Sequence, residues 1–469
     1  MNFPRTLRLV CIRIILKISP RAHTNTGIIA ADKSHIDEAL LHGKHEQEEV
    51  VYNVEQQLLP TSGGSFCITG ASFGRSCLNL SNVISGIGML SVPYALSQGG
   101  WLSLALFVMV GAICFYTGKL IYHCMRADRC VRSYPDIGYL AFGSYGRTAI
   151  GLVMYVELYL VAISFLILEG DNLDKLLPGT VVNILGYQVH GKQLFVLVAA
   201  AVILPTTWLK NLSMLAYVSA VGLVSSVALT VSLVWAGVAD KGFHMVGSSI
   251  LNLSGLPTAL SLYFVCFAGH GVFPTVYSSM RARKDFPKVL LISSVLCSLN
   301  YAVTAVLGYK IYGEDVQAQV TLNLPTGKLY TRIAILTTLI TPLTKYALVI
   351  QPVTTAIEEK LLVTTTAAVA ADAENNRLTR VLTSTAVVFS TVVLACTVPF
   401  FGYLMSFIGS SLNVTVTVLF PCLSYLKIYM PRGGVGHFEV AAIVGILVIG
   451  VCVAVVGTYT SLHQIIGTF

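Results

Sequence analysis

Residues 76–101 read SCLNLSNVISGIGMLSVPYALSQGGW and residues 260–280 read LSLYFVCFAGHGVFPTVYSSM. Each lies in an apolar stretch long enough to cross a bilayer. Each is interrupted by glycines, Ser85-Gly86-Ile87-Gly88 in the first and Ala268-Gly269-His270-Gly271 in the second. Pro93 and Pro274 add to the resistance against a regular helix. In hydrocarbon every backbone N–H and C=O must be satisfied within the protein, so a break at that depth is stable only where it lines a cavity or is covered. Broken helices in corresponding positions of two halves mark a place where a small molecule is held. Glycines can instead form a packing seam between helices. The spacing of Gly86 and Gly88 fits such a seam only loosely, and Asn82 and Ser85 beside them suit a polar pocket better.

Working outward, 55% hydrophobic residues, 11% charged residues and a mean hydropathy of +0.75 cannot coat a water-soluble surface. Apolar stretches of membrane-crossing length fall near 78–98, 101–125, 147–169, 192–209, 213–238, 256–279, 288–312, 331–357, 381–402, 403–428 and 438–462, which predicts an all-α integral membrane protein of about 11 spans. Lys and Arg are retained on the cytosolic side during insertion. With a cytosolic N-terminus that side collects 22 of them against 6, and 14 against 6 when the tail is left out. The expected topology has a cytosolic N-terminus and, after an odd number of spans, a C-terminus on the far side. These loops account for the formal charge of +8, so no nucleic-acid partner is called for.

Residues 1–74 are expected to form a cytosolic, largely disordered tail ahead of a transmembrane domain at 75–469. The tail opens with a basic, acid-free run to His23, in which Arg13 and Lys17 interrupt the apolar core that a secretory signal needs; a transit peptide or an interfacial helix fits better. Residues 32–55 carry seven acidic residues and read as solvated. None of the eleven cysteines falls in the long loops 170–191, 239–255 and 313–330. No metal site and no cofactor are expected. There is no GxxxxGK[ST] loop and no acid/base or nucleophile constellation, so the chain is not read as an enzyme.

Four ionisable residues within the predicted spans stand out, since a charge in hydrocarbon is costly unless it is paired or functional. His270 sits between two glycines, and its imidazole either carries a proton for coupling or holds the break open by hydrogen-bonding a freed carbonyl; both readings stand. Lys119 lies near a helix end and can snorkel. Glu157 and Lys345 lie deeper, and their opposite charges allow an ion pair on different helices that a proton or a zwitterion would disturb.

The strings NVISGIGMLSVPYALSQGGW, CFYTGKLI, YPDIGYLAFG, LEGDNL, LPTTWLKNLSMLAYVSA, CFAGHGVFPTVYSSM, TLNLP and TKYALVIQPV, spread over residues 71–462, resemble the amino acid/auxin permease superfamily. Within it they are most similar to plant vacuolar amino acid transporters related to vesicular inhibitory amino acid transporters. The resemblance implies the five-helix inverted-repeat fold of the leucine-transporter type, with spans 1–5 repeated as 6–10, span 11 additional, and spans 1 and 6 broken. Gly86 and Gly269, 183 residues apart, obey that repeat. It further implies an amino acid between the two breaks, its carboxylate near the N–H groups of Gly86 to Gly88 and its ammonium toward the carbonyls of Val265 to Ala268 beside Gly269, with Tyr155 and Tyr159 closing one wall. Asn82 and Thr337 or Thr341 correspond to the ion site of sodium-coupled relatives. The expected activity is proton/neutral amino acid antiport into the vacuole, with His270, Glu157 and Lys345 as coupling groups. The alternatives are a sodium- or proton-coupled symporter at another membrane, or an amino acid sensor contacting a partner through the tail. The basic opening of that tail departs from the long acidic, serine-rich tail expected of close relatives.

Overall fold

The structure, a computed structural model, describes residues 70–128, 131–184, 187–208, 215–243, 249–365, 373–398 and 400–468. The expected tail therefore lies almost wholly outside the described residues, and the first helix opens at Phe73 with the Ser72 hydroxyl accepting from the Arg75 N–H at 3.5 Å. Among the described residues nine helices are long and apolar enough to cross a membrane, and the pair Phe73–Ile84 and Gly88–Gly99, bent by 51°, makes a tenth span. The remaining expected stretch, 192–209, is the 17-residue helix Gly191–Thr207. At 1.5 Å per residue it covers about 25 Å, slightly under a hydrocarbon core of roughly 30 Å.

The bent pair is span 1. Spans 2 to 5 are Ser103–Ala127, Tyr134–Leu176, Gly191–Thr207 and Leu215–Ala236. Span 6 is Leu256–Ser279, and spans 7 to 9 are Phe286–Tyr312, Leu329–Thr365 and Ala373–Thr397. Span 10 is Phe401–Arg432 and span 11 is His437–Ile466. A short antiparallel hairpin, β1 Val181–Ile184 with β2 Tyr187–His190, joins spans 3 and 4. Span 3 begins at Tyr134 rather than 147: Ser133 and Asp136 form a reciprocal cap ahead of Pro135, and the helix continues across a kink at Gly143, where φ is 69°. The polar residues of this first segment made it read as a loop.

Packing divides the spans into two groups. Spans 1, 2, 6 and 7 pack on one another, and so do spans 3, 4, 8 and 9. Span 5 lies against spans 1, 7 and 8, whereas span 10 lies against spans 6, 2 and 3. Adding or subtracting five turns the first set of neighbours into the second, which is the inverted repeat expressed as contacts. The same relation holds for two backbone clasps. At the N-terminal end the Ala71 N–H donates to Ser279 O at 2.8 Å and the Arg281 N–H donates to Ala71 O at 3.1 Å, joining the start of span 1 to the end of span 6. At the opposite end Trp101 and Leu102 donate to Ser249 O and Ile250 O at 3.2 and 2.9 Å, and the Asn252 N–H donates to Gly99 O at 3.2 Å, joining the end of span 1 to the approach to span 6.

Candidate functional site

Ile84 ends the first half of span 1 and Gly88 opens the second. A helix end leaves carbonyls without intrahelical donors, and here two side chains from other spans supply them. The Tyr301 hydroxyl, from span 7, donates to Ile84 O at 2.8 Å and accepts from the Gly86 N–H at 3.2 Å. Lys345 Nζ, from span 8, donates to Asn82 O at 3.0 Å and to Ser85 O at 3.4 Å. The C-terminal end of a half-helix carries roughly half a negative charge, so an ammonium placed there is stabilised inside the protein. The expected pairing of Lys345 with Glu157 is therefore replaced by a cap on span 1. Among the described residues no ion pair contains either group. Glu157 is half-buried on span 3.

A cavity of about 40 Å³ lies beside this break, lined by Ser85, Gly86, Ile87, Met89 and Leu90 of span 1, by Gly222, Ser225, Ser226 and Leu229 of span 5, and by Thr338, Thr341 and Pro342 of span 8. That is room for a few water molecules and less than an amino acid occupies. Gly222 has no side chain because Asn82 needs the space: a Cβ there would land on Asn82 Oδ1, with Lys345 Cε 3.6 Å away. Thr341 Oγ1 faces this region and finds no hydrogen-bond partner among the described residues. Thr337, the alternative position, is turned back on its own helix and bonds Ile333 O and Ala334 O at 2.8 and 3.1 Å. Thr338, buried and lining the cavity, takes the place expected of it.

The break in span 6 is organised differently. Gly269 adopts φ 148°, and a short turn from His270 to Val272 precedes Phe273. His270 is buried, its Nε2 lying 3.0 Å from both Cys114 O and Thr117 Oγ1 of span 2 and its ring 4.6 Å from that of Phe273. It bolts the break to span 2. The Val265 carbonyl, expected to face a substrate ammonium, already accepts from the Ala268 N–H at 3.3 Å. Gly88 meets span 6 directly: a Cβ there would lie 3.0 Å from Cys266 Cα. The two breaks thus touch, and an amino acid between them requires Gly88 and Cys266 to separate.

Of the residues expected at the site, the structure brings Asn82, Ser85, Gly86, Thr341 and Lys345 together. Gly88, Val265, Ala268 and Gly269 lie at the contact between spans 1 and 6. Tyr159 is directed elsewhere, its hydroxyl 2.8 Å from Ser390 Oγ of span 9, and Tyr155 packs half-buried against the core. Tyr301, Gly222 and Ser225 were not foreseen. Nothing local marks Tyr301 in SLNYAVTA; its role depends on which helix faces the break.

Comparison with known proteins gives the family. A family described as "Transmembrane amino acid transporter protein" matches residues 69–463. The chain is similar to the amino acid transporter AVT1I of Arabidopsis thaliana, with 46% identity over 402 residues, covering 86% of this chain and 97% of that one. It is similar to AVT1J of the same plant, with 44% identity over 399 residues, 85% of this chain and 92% of the relative, and to AVT1B, with 40% identity over 397 residues, 84% and 72% respectively. With the broken spans, the five-helix repeat and a match along nearly the whole described chain in hand, the protein belongs to the transmembrane amino acid transporter family.

Proposed function

We propose that this transporter exchanges protons for neutral amino acids and loads them into the vacuole, with its N-terminus cytosolic and its C-terminus lumenal. The observation that carries the coupling part is the Lys345 ammonium on the Asn82 and Ser85 carbonyls. These are the oxygen donors a sodium ion would need at the end of the half-helix, and a fixed cation already holds them. Protonated, Lys345 ties span 8 to span 1. Deprotonated, it leaves the negative end of the half-helix without its counter-charge, and the two spans part more easily. Proton occupancy is thereby linked to the span that carries the substrate break.

In this reading the substrate carboxylate meets the N–H groups that open the half-helix at Gly88, with that of Ile87 and, once the Tyr301 hydroxyl releases it, that of Gly86, and the ammonium meets the break of span 6 around Ala268 and Gly269. No charged side chain lines the cavity among the described residues, which suits a neutral zwitterion. His270 holds span 6 in place for this exchange, and Glu157 is held in reserve as a second titrating group on span 3. One proton moving down a gradient of two pH units releases roughly 2.7 kcal/mol, enough for about a hundredfold accumulation in the ideal limit, so no nucleotide chemistry is needed.

Uptake of labelled neutral amino acids into proteoliposomes with an acidic interior tests this. Wild-type protein should accumulate them only with the gradient, and Lys345→Gln should lose accumulation while remaining folded by size exclusion. Uptake that ignores the pH gradient and requires sodium would overturn the proposal. Binding without flux in folded protein would point instead to a sensor.

A further inference from the structure

Glu169 lies on span 3, seven residues before its end at Leu176, about 10 Å in from the helix terminus at 1.5 Å per residue. It is 1% exposed. Its Oε1 has no hydrogen-bond partner among the described residues, and none of the ion pairs there includes it. An ionisable group held this way at membrane depth is costly to keep charged, so its retention calls for a use.

The surroundings indicate which use. The segment 316–325 between spans 7 and 8 is fastened over this end of span 3. Lys175 Nζ donates to Thr321 O at 2.9 Å and also to Leu322 O. Asn172 Nδ2 donates to Gln319 Oε1 at 2.7 Å, and Gln319 Nε2 donates to Asp171 Oδ2 at 2.7 Å. The other charges at this end are engaged or turned outward, apart from Lys310 of span 7, which is half-buried and in none of the ion pairs among the described residues. Asp171 pairs with Lys192 of span 4, and Asp174 is packed against Gly191. Glu314 accepts from the Tyr309 hydroxyl at 2.7 Å, Asp315 lies out on the loop, and Arg332 of span 8 is exposed. Span 9 brings Cys396 to the same end and span 10 brings Gly402 against Ala318 of the segment, neither of them cationic. Under the fastened segment the buried side-chain atoms without a hydrogen-bond partner among the described residues are oxygens: Glu169 Oε1, Asn172 Oδ1 one turn along the same face, and Thr321 Oγ1. Only the Thr321 hydroxyl could donate to a charged carboxylate here, and no cation faces it, whereas a carboxylic acid has an O–H of its own to give to Asn172 Oδ1 or to Thr321 Oγ1.

We propose that Glu169 is the proton-binding group at the end remote from the N-terminus, and that segment 316–325 is the lid that traps its proton. With the lid lifted, water reaches the carboxyl and it exchanges one proton with that side, COO⁻ and H⁺ going to COOH. With the lid down, only the neutral acid is tolerated, so the lid closes on a loaded group. The inference rests on proton coupling as proposed above and adds where the proton first binds.

The test is proteoliposome transport by wild type, Glu169→Gln and Glu169→Asp. Glu169→Gln mimics the loaded acid, so amino acid counterflow without net proton movement should stay within about twofold of wild type while gradient-driven accumulation, about a hundredfold at two pH units, falls to none. Glu169→Asp should keep accumulation with a displaced pH profile, a readout that a purely packing role would not move. Lys175→Met, which frees the lid, should alter the same profile with Glu169 intact. Accumulation by Glu169→Gln equal to wild type, with an unchanged pH profile, would overturn the inference alone. A wild type indifferent to the gradient would overturn proton coupling and this inference together.

Discussion

The two ends of the transporter are related by the repeat yet closed by different means. At the N-terminal end the clasp is backbone alone, Ala71 between Ser279 and Arg281, and Gly70 beside it is exposed. At the opposite end the corresponding clasp, 99–102 with 249–252, is reinforced by the Tyr309 hydroxyl, which accepts from the Ser249 N–H at 3.0 Å, and by the segment that Lys175 and Gln319 fasten over span 3. Backbone pairing comes from the repeat and is shared. Side-chain fastenings of the connecting segment are added at the far end, and they lie beside Glu169, a buried carboxyl of span 3 with no ion-pair partner among the described residues. The proton exchange proposed above gives this asymmetry a reason, because only one side would then offer protons in excess.

The comparison breaks first at Gly255. A Cβ there would collide with the Gln98 carbonyl oxygen, a backbone atom that cannot swing aside, and the adjoining Asn252–Gly99 hydrogen bond would be strained with it. Gly255→Ala should cost roughly 2 kcal/mol or more and slow transport at least about tenfold, read as a lower melting temperature and lower initial uptake. Transport unchanged by this substitution would mean that the far clasp is not a working contact.

Gly70→Ala probes the related position with a smaller expected effect. Its Cβ would lie 2.9 Å from Arg281 Cα, and the chain on this side is exposed and able to shift by a few tenths of an ångström. A loss of about twofold in uptake, with a stability change under ~1 kcal/mol, is expected. If Gly70→Ala were as damaging as Gly255→Ala, the N-terminal clasp would be the dominant closure, and the asymmetry would run the other way.

The outline of this molecule was legible because a bilayer imposes a one-dimensional signal. Apolar length marks a span, and glycine pairs such as Gly86 and Gly88 mark a break, without any knowledge of neighbours. Span ends were less legible: span 3 starts thirteen residues early because its first turns are polar and capped by Ser133 and Asp136. The site was legible only where it is made of the breaks themselves. Tyr301 and Lys345 reach span 1 from residues more than two hundred positions away, and which of their faces turns inward depends on helix rotations that periodicity in an all-apolar helix does not encode. Glu169 did carry a signal, an acid closing the apolar run FLILEG. It stood at the expected edge of a span, where charges are common, and so it drew no attention.

The smallest effect separates the ion pairs of the two ends. Arg147 Nη2 meets Asp136 Oδ1 at 3.1 Å, but the Arg147 side chain is 61% exposed. Exposed pairs contribute about 0 to 1 kcal/mol and are screened by salt. Asp136 has separate work, accepting from the Ser133 and Arg132 N–H groups at 2.8 and 3.2 Å through its other oxygen, so removing Arg147 leaves the helix cap intact. Arg147→Met should leave uptake at the wild-type level and shift stability by less than about 0.5 kcal/mol at physiological salt, with the difference vanishing at high salt. The Asp171–Lys192 pair at the other end is mostly shielded, with side-chain exposures of 14% and 29%, and it shares Asp171 with Gln319 of the lid. A substitution there strands a shielded carboxylate that the lid depends on, and that cost is not screened away. Equal and salt-sensitive losses for Arg147→Met and for a Lys192 substitution would show that the far end is no more closed to water than the near one, and would remove the physical ground for a trapped proton at Glu169.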